Sequence, residues 1–334
     1  MQYTTEQERE IELGKESGID VSLYSDSSLS PTEMKLRRLY LEYGIEIPKT
    51  KRINTECLNA IENILKKDID VNLEKYFRNL EYNSDQIEQI LFGLEKGLDV
   101  SIYESPKYDF TQMDEIRIGL REKLDVSIYA YTYFQDTQMR EIRLGLKDGL
   151  DVSIYANPKY NAEQMTEIHL GLEEELDVSV YANPQYDWMQ MEEIRLGLLD
   201  NLNVSIYTKY EFTWSQMEEI RKGLKDGLDV SIYAYTYFQG VQMKQIRLGL
   251  KYELDVSIYA KPEYNFAQMK EIRFGLEDGL DVSIYANPKY DAEQMTEIRL
   301  GLSYHVNVSL YNSPELNYAE MRKIRVSEIN KSKA

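Results

Sequence analysis

Residues 290–302 read Tyr-Asp-Ala-Glu-Gln-Met-Thr-Glu-Ile-Arg-Leu-Gly-Leu, and they follow residues 281–289, which read Asp-Val-Ser-Ile-Tyr-Ala-Asn-Pro-Lys. The methionine of this stretch recurs every 26 residues with no insertion or deletion. The series consists of Met113, Met139, Met165, Met191, Met217, Met243, Met269, Met295 and Met321. A strict period of this length is typical of a solenoid, in which one small unit of secondary structure stacks on copies of itself.

The first half of each repeat carries the signals of an α-helix. Asp291 is a good N-cap residue, and Gln294 three residues later completes a capping box. Tyr290 before the cap and Met295 after it are typical of a hydrophobic staple. At the other end, Gly279 is followed by a leucine, as in helices that end at a left-handed residue. These signals predict a helix of about 12 to 14 residues in every unit.

The second half of each repeat is shorter. Asp151 is a second candidate N-cap, and Pro158 closes the segment within two turns. The sequence Val-Ser-Ile-Tyr between them alternates apolar and polar residues, which is also typical of a short strand. We favour a short α or 3₁₀ helix, because capping signals bracket the segment on both sides.

Helical geometry at about 100° per residue separates the faces of the longer helix. Met295, Ile298 and Leu302 form the stripe expected to face the core. Glu297 lies nearly opposite Met295, so we expect it to face solvent. Gly301 lies in the middle of the helix, where glycine is unfavourable by about 1 kcal/mol. Its recurrence predicts a close helix approach, in which any side chain at this position would collide.

The same pattern, followed upstream with less fidelity, gives twelve full units and a terminal half unit at Met321. We expect an all-α fold, an α-solenoid superhelix in which each repeat is a long helix plus a short α or 3₁₀ helix. Residues 1–86 are predicted to form irregular N-terminal repeats and a cap. Residues 87–326 are predicted to form the regular solenoid, and residues 327–334 a polar tail.

The composition restricts the classes of partner. The 334 residues carry a net charge of −19, which would repel a nucleic-acid backbone, so we expect no direct nucleic-acid binding. The sequence has no run of 18 apolar residues and no evident signal peptide, so we expect no membrane span and no export. Cys57 is the one cysteine, which fits a reducing cytoplasm. With His169 and His305 as the two histidines, we expect no metal site and no cofactor.

One column of the repeat holds arginine, with His169 in one unit. A ladder of arginines could bind phosphates or carboxylates, as helical-repeat proteins do that recognise one RNA base per repeat. The stronger interpretation is structural pairing between repeats, in which the guanidinium group reaches a helix C-terminus or a neighbouring aspartate, and the aspartates that begin the short segments offer such partners. The arginines are Arg117, Arg143, Arg195, Arg221, Arg247, Arg273, Arg299 and Arg325, and the aspartates are Asp99, Asp125, Asp151, Asp177, Asp229, Asp255 and Asp281.

Tyrosine ends the short segment in every regular unit, for example at Tyr233 and Tyr285, and such uniformity predicts a packed core residue. Aromatic residues that vary between units are better candidates for recognition. They occupy the first turn of the helix or the loop before it, positions that tend to be exposed. The candidates for partner binding are Phe110, Tyr131, Tyr133, Trp188, Tyr210, Trp214, Tyr235, Tyr237 and Phe266.

Catalytic motifs are not evident: the chain has no glycine-rich phosphate loop, no HExxH and no GxSxG. The repeat signature, Gln-Met-x-Glu-Ile-Arg-Leu-Gly-Leu followed by Leu-Asp-Val-Ser-Ile-Tyr-Ala-Asn-Pro-Lys-Tyr, resembles uncharacterised α-solenoid repeat proteins of bacterial mobile elements and phages. The resemblance covers residues 87–325 well and the N-terminal quarter weakly. It implies a link to elements in conflict with host defences, and it assigns no activity.

We therefore expect a non-enzymatic protein-binding scaffold in the cytoplasm. Its most specific version is an inhibitor of a bacterial defence or nucleic-acid-processing protein, with a partner that presents a basic surface. Two alternatives stay open. The first is an acidic DNA mimic that occupies a basic groove, and the second is a sponge that captures a small nucleotide signal between repeats.

Overall fold

The computed structural model describes residues 2–44, 55–67, 69, 71–73, 75–76 and 81–332. Within these residues the secondary structure consists of thirteen α-helices and ten 3₁₀ helices, and no strand occurs. The chain divides into two compact units, Met1–His169 and Leu170–Ala334. This division reflects the density of contacts within each unit, whereas the predicted boundary at residue 87 reflects how closely the sequence follows the repeat. The division therefore does not test the predicted boundary.

In the first unit each helix packs on the next along the chain from α1 to α6. A 3₁₀ helix follows α1, α4, α5 and α6, at Val21–Leu23, Val100–Ile102, Val126–Ile128 and Val152–Ile154. The α-helices are α1 (Thr5–Glu16), α2 (Pro31–Glu42), α3 (Thr55–Lys66), α4 (Ser84–Glu95), α5 (Phe110–Arg121) and α6 (Asp136–Lys147). The division between the units falls within α7 (Ala162–Glu173).

In the second unit α8 to α13 pack in the same consecutive order. The α-helices are α8 (Trp188–Leu199), α9 (Trp214–Lys225), α10 (Gly240–Lys251), α11 (Phe266–Glu277), α12 (Ala292–Ser303) and α13 (Tyr318–Ser332). The 3₁₀ helices are Val178–Val180, Val204–Ile206, Val230–Ile232, Val256–Ile258, Val282–Ile284 and Val308–Leu310. An all-α repeat solenoid is thus confirmed, and the strand alternative for the short segment is wrong.

The boundaries of the elements agree with the capping signals. The helices α1 to α12 each contain 12 residues, and α13 contains 15. Asp281 accepts from the backbone N–H of Ser283 at 3.1 Å and so caps the 3₁₀ helix. The predicted polar tail is helical as far as Ser332, because α13 continues through it. Of the predicted N-terminal region, residues 1, 45–54, 68, 70, 74 and 77–80 lie outside the described residues, as do residues 333–334 of the tail.

The glutamine of the capping box has a second function. The Gln294 side chain accepts from the N–H of Asp291 at 2.8 Å, and its amide N–H donates to the carbonyl of Leu316 in the next repeat at 2.6 Å. The same bond joins Gln112 to the carbonyl of Phe134 at 2.6 Å. One side chain therefore begins a helix and holds the following loop, which explains why glutamine recurs at this position.

The glycine in the middle of each helix faces a tyrosine of its own repeat. A Cβ atom on Gly223 would lie 1.9 Å from the Tyr233 hydroxyl and 2.8 Å from Cγ1 of Val230. The hydroxyl of Tyr233 donates to the carbonyl of Glu219 at 3.0 Å. The predicted close approach at this glycine is therefore confirmed, and the approaching element is the 3₁₀ helix of the same repeat rather than a second α-helix: it folds back over the helix, and its tyrosine fills the space.

In every described helix except α3 and α13, the second residue after the helix is left-handed, whether or not it is glycine. Gly149, Gly227 and Gly279 have φ of 76°, 72° and 68°, which confirms the predicted helix ends. Five other residues take the same conformation at φ of 56–61°. They are Lys123, Glu175, Asn201, Glu253 and His305. Backbone strain is therefore concentrated in these units, because a Cβ atom disfavours this region by about 1–2 kcal/mol.

Gly223→Ala tests the contact between glycine and tyrosine. We expect it to lower the free energy of unfolding by about 2 kcal/mol, because the new methyl group overlaps the Tyr233 hydroxyl and outweighs the better helix propensity of alanine. Urea denaturation followed by circular dichroism measures the change. Tyr233→Phe removes the hydroxyl, so the double variant should be about 1 kcal/mol more stable than the sum of the single losses predicts. Strictly additive losses would contradict the contact.

A reciprocal exchange tests the left-handed position. Glu253→Gly should raise the free energy of unfolding by about 0.5–1 kcal/mol, and Gly227→Glu should lower it by about 1 kcal/mol, because only glycine adopts this backbone without strain. No atom lies within 4 Å of a Cβ built on Gly227, so the effect is conformational rather than steric. Thermal unfolding of the two variants measures it, and changes of the same sign would refute the interpretation.

Candidate interaction surface

The nine aromatic residues selected from the sequence are all exposed, as predicted. Phe110, Trp188, Trp214 and Phe266 are the first residues of α5, α8, α9 and α11. These first-turn side chains are 39–48% exposed, whereas the repeat methionine three residues later in each helix is fully buried. The same scaffold that buries methionine therefore presents these aromatic rings to solvent.

Two loops present a stacked pair of tyrosines. The rings of Tyr131 and Tyr133 lie 5.1 Å apart at an interplanar angle of 9°, and those of Tyr235 and Tyr237 lie 5.1 Å apart at 8°. Residues 125–134 and 229–238 are identical in sequence, and their geometry is identical as well. Tyr133 and Tyr237 are each 57% exposed, so the pairs are ordered without being buried.

The loop of the first pair is held at its base. Phe134 is buried, and its backbone N–H donates to the carbonyl of Tyr131 at 3.1 Å, which closes the turn. The hydroxyl of Tyr108, from the loop one repeat earlier, donates to the carbonyl of Ala130 at 2.6 Å. Burial raises the pKa of Tyr108, and the neighbouring phenols of Tyr131 and Tyr133 add to the effect. The exposed rings therefore stand on a rigid support.

Tyr210 differs from the other candidates because it packs on the preceding loop. Its ring lies 4.4 Å from that of Tyr186, and its hydroxyl accepts from the side-chain amide of Asn183 at 2.8 Å. It is still exposed, but part of its surface stabilises the stacking of two repeats. We therefore place less weight on Tyr210 than on the two tyrosine pairs.

The arginine column pairs between repeats, as predicted, but the aspartates that begin the short segments are not its partners. Arg247 Nε lies 2.7 Å from a carboxylate oxygen of Glu219, and Arg325 Nε lies 2.8 Å from Glu297. These glutamates occupy the position expected to face solvent. Glu297 is instead buried, because the next helix covers that side of α12. The predicted aspartate partners cap the 3₁₀ helices.

A second carboxylate of the preceding repeat reaches most of these guanidinium groups. Asp226 lies 3.6 Å from Nη1 of Arg247. The corresponding pairs are Glu122 with Arg143, Glu174 with Arg195, Asp200 with Arg221 and Asp278 with Arg299, at 3.4, 3.1, 4.0 and 3.5 Å. His169, which replaces arginine in one unit, has Nε2 3.2 Å from Asp148. The column is thus engaged inside the protein.

Burial governs the electrostatics of these pairs. Desolvation raises the pKa of Glu193 above its ordinary value, even though the hydrogen bond and charge of Arg221 lower it. A carboxylate that is costly to desolvate stabilises the fold only because its partner is close and oriented. The arginines of this column therefore pair within the protein, and they do not form an exposed ladder that could bind a ligand.

Further exposed apolar side chains lie outside the nine candidates for partner binding. Tyr252 and Tyr304 directly follow α10 and α12, at the end opposite the candidate loops, and both are exposed. Val241, in the first turn of α10, is exposed too. Comparison of the repeats would have shown the two tyrosines, because Asp148, Asp226 and other acidic residues occupy their position elsewhere.

None of the helices described is both long and apolar enough to cross a bilayer. Comparison with protein-family models, curated proteins and solved structures finds no match for this chain. The resemblance of the repeat signature to proteins of mobile elements and phages therefore stays a prediction.

Two substitutions of one glutamate test the buried pairs. Glu219→Gln should lower the free energy of unfolding by less than about 1 kcal/mol, because Gln245 accepts from Arg273 Nε at 3.1 Å in the same way. Glu219→Ala should lower it by about 2–3 kcal/mol, because Arg247 loses its closest acceptor. Glu218→Ala is the matched control, since its pair with Lys222 lies at the surface. Equal losses for Glu218→Ala and Glu219→Ala in urea denaturation would refute the structural role.

Proposed function

We propose that this protein is a non-enzymatic scaffold that binds a partner protein through the aromatic side chains at the N-terminal ends of its helices. The observation that supports this most strongly is the pair of identical loops, each with two stacked and exposed tyrosines. Monomeric proteins rarely keep several large aromatic side chains exposed on rigid supports unless a partner covers them. Trp188 and Trp214, the first residues of α8 and α9, are further exposed aromatic side chains at the N-terminal ends of helices.

Preorganisation favours binding by these side chains. Stacking already restricts the rotamers of Tyr235 and Tyr237, so less entropy is lost when a partner covers them. Tryptophan and tyrosine supply a large apolar area together with a polar atom at the edge, and they dominate the energetics of protein interfaces. A few such anchors are sufficient for a specific complex, and the rest of the surface needs only to be complementary.

Charge supports a partner with a basic surface. The net charge of −19 accelerates the encounter with a basic protein, and the faces of exposed tyrosines attract lysine and arginine side chains. In its most specific form the proposal is an inhibitor that blocks a bacterial defence or nucleic-acid-processing protein, because such proteins carry basic grooves. The aromatic side chains then determine which basic protein is bound, and charge determines how fast.

An acidic DNA mimic has less support from the arrangement of the carboxylates. A mimic needs free carboxylates spaced along its surface, but two of the acidic columns are engaged within the protein. One column pairs with the arginines, as Glu219 does with Arg247, and another caps the 3₁₀ helices, as Asp229 does. Binding by charge alone would also fall steeply with salt, whereas binding by aromatic anchors would largely persist.

Affinity capture from a bacterial lysate with mass spectrometry tests the proposal. Trp188→Ala/Trp214→Ala should reduce recovery of the specific partners by about tenfold or more, as expected when two anchor residues are lost. Tyr252→Ala/Tyr304→Ala is the matched control, because it removes two exposed aromatic rings from the opposite helix ends. Recovery by the control should equal that of the wild type.

Two outcomes would contradict the aromatic surface. The first is equal recovery of the same proteins by the wild type and the Trp188→Ala/Trp214→Ala variant. The second is loss of every partner when salt is raised from about 0.05 M to about 0.5 M, which would indicate binding by charge alone. Circular dichroism should show that both double variants keep the helical content of the wild type, since these side chains lie outside the core.

A further inference from the structure

A groove between α10 and α11 is large enough for a small molecule, and it is separate from the aromatic loops. Its volume is about 580 Å³, within the range of sites for small organic molecules. The lining residues are Leu248, Tyr252, Leu254, Arg273, Phe274 and Glu277. Four of these are apolar or aromatic, and Arg273 and Glu277 supply the charges. The groove lies within the second unit, at the C-terminal ends of the two helices.

The other junctions show what this groove lacks. At four of them the arginine contacts two carboxylates of the preceding repeat: Arg247, for example, has Glu219 at 2.7 Å and Asp226 at 3.6 Å. Arg299 likewise has Glu271 at 2.9 Å and Asp278 at 3.5 Å, and Arg143 and Arg221 follow the same rule. A guanidinium group with two carboxylates of the preceding repeat therefore recurs in this solenoid. At Arg325, Glu297 keeps the first position and Tyr304 stands at the second.

At Arg273 both of these carboxylates are replaced. Gln245 stands at the first position and accepts from Nε at 3.1 Å, and Tyr252 stands at the second. Among the described residues, the carboxylate that pairs with Arg273 is Glu277 of its own helix. Arg273 is 6% exposed, so solvent compensates little for the missing group. Arg117 has also lost both carboxylates, but there Lys96 occupies the second position.

An aromatic residue concentrates positive charge beside the groove. The ring of Phe274 lies 4.6 Å from the guanidinium carbon of Arg273, 5.5 Å from that of Arg299 and 5.3 Å from the ammonium nitrogen of Lys270. The equivalent residue of the next repeat is Leu300. Phenylalanine here supports the cations through its ring face and enlarges the apolar wall.

We propose that this groove binds a small organic carboxylate. Its anionic group takes the place of the carboxylate that Tyr252 has replaced, and so restores two carboxylates to Arg273. Its apolar body packs against Tyr252, Phe274 and Leu248. A carboxylate is the expected chemistry because the planar guanidinium group matches it in shape, and because carboxylates occupy the equivalent position in other repeats. This site is independent of the protein-binding surface at the opposite helix ends.

Benzoate is the probe that tests the site, and its neutral isostere benzamide is the control. Isothermal titration calorimetry at low salt should show saturable binding of one benzoate with a Kd of about 1 mM, a reasonable affinity for so small a ligand. Benzamide should bind at least about tenfold more weakly, because it cannot pair with Arg273. Equal binding of the two compounds, or no benzoate binding at about 10 mM, would overturn the proposal.

A substitution that follows the repeat pattern locates the site. Tyr252→Asp places a carboxylate beside Arg273, as Asp226 stands beside Arg247, so it should weaken benzoate binding by about tenfold or more without lowering Tm. Tyr304→Asp is the matched control, because it introduces the same charge at the equivalent position two repeats later. Its affinity for benzoate should equal that of the wild type. Unchanged binding by Tyr252→Asp, or an equal loss in both variants, would overturn the assignment.

Discussion

Each repeat depends on the contact between a buried tyrosine hydroxyl and a helix that carries no side chain at that point. The Tyr233 hydroxyl occupies the space beside Gly223 and donates to the carbonyl of Glu219. The contact joins the 3₁₀ segment to the helix before it and so defines the angle at which the chain leaves the repeat. Because ordinary side chains do not fit beside the hydroxyl, the glycine and the tyrosine recur together.

The residue that accepts from the tyrosine also joins one repeat to the next. The carbonyl of Glu219 accepts a hydrogen bond from the hydroxyl of Tyr233, and the carboxylate of Glu219 accepts one from Nε of Arg247 in the following helix. Internal geometry and stacking thus share one residue. The capping glutamine adds a second connection, because Gln216 donates to the carbonyl of Phe238 at 2.5 Å. Stability in such an array is close to a sum of repeat terms and nearest-neighbour terms.

A scaffold of this regularity makes its exceptions informative. The buried positions are engaged in holding the repeat together, so the exposed positions are the ones that can vary without loss of the fold. The tyrosine pairs at Tyr131 and Tyr235 replace the Asn-Pro-Lys type of loop found in other units. At Arg273 two carboxylates have been replaced and a groove lies beside the arginine. Both candidate surfaces are therefore departures from the repeat rather than products of it.

The sequence by itself determined the repeat, the helix ends and the exposure of the candidate aromatic residues. These features follow from local interactions: a capping box joins residues three apart, and the first turn of a helix and the loop before it tend to be exposed. Even the choice of a 3₁₀ helix over a strand was possible, because Asp281 and its equivalents are caps. The thirteen α-helices of the described residues match the twelve full units and the terminal half unit expected from the repeat pattern.

Only the tertiary structure decided which partners meet across repeats. A helical wheel placed Glu297 towards solvent, because it cannot represent the next helix, which covers that side and brings Arg325 to it. It also could not show that a tyrosine ten residues later, rather than a second helix, excludes a side chain from Gly301. The physical reason is the same in both cases: burial and ion pairing depend on how far the chain turns between helices, and that turn is a product of packing.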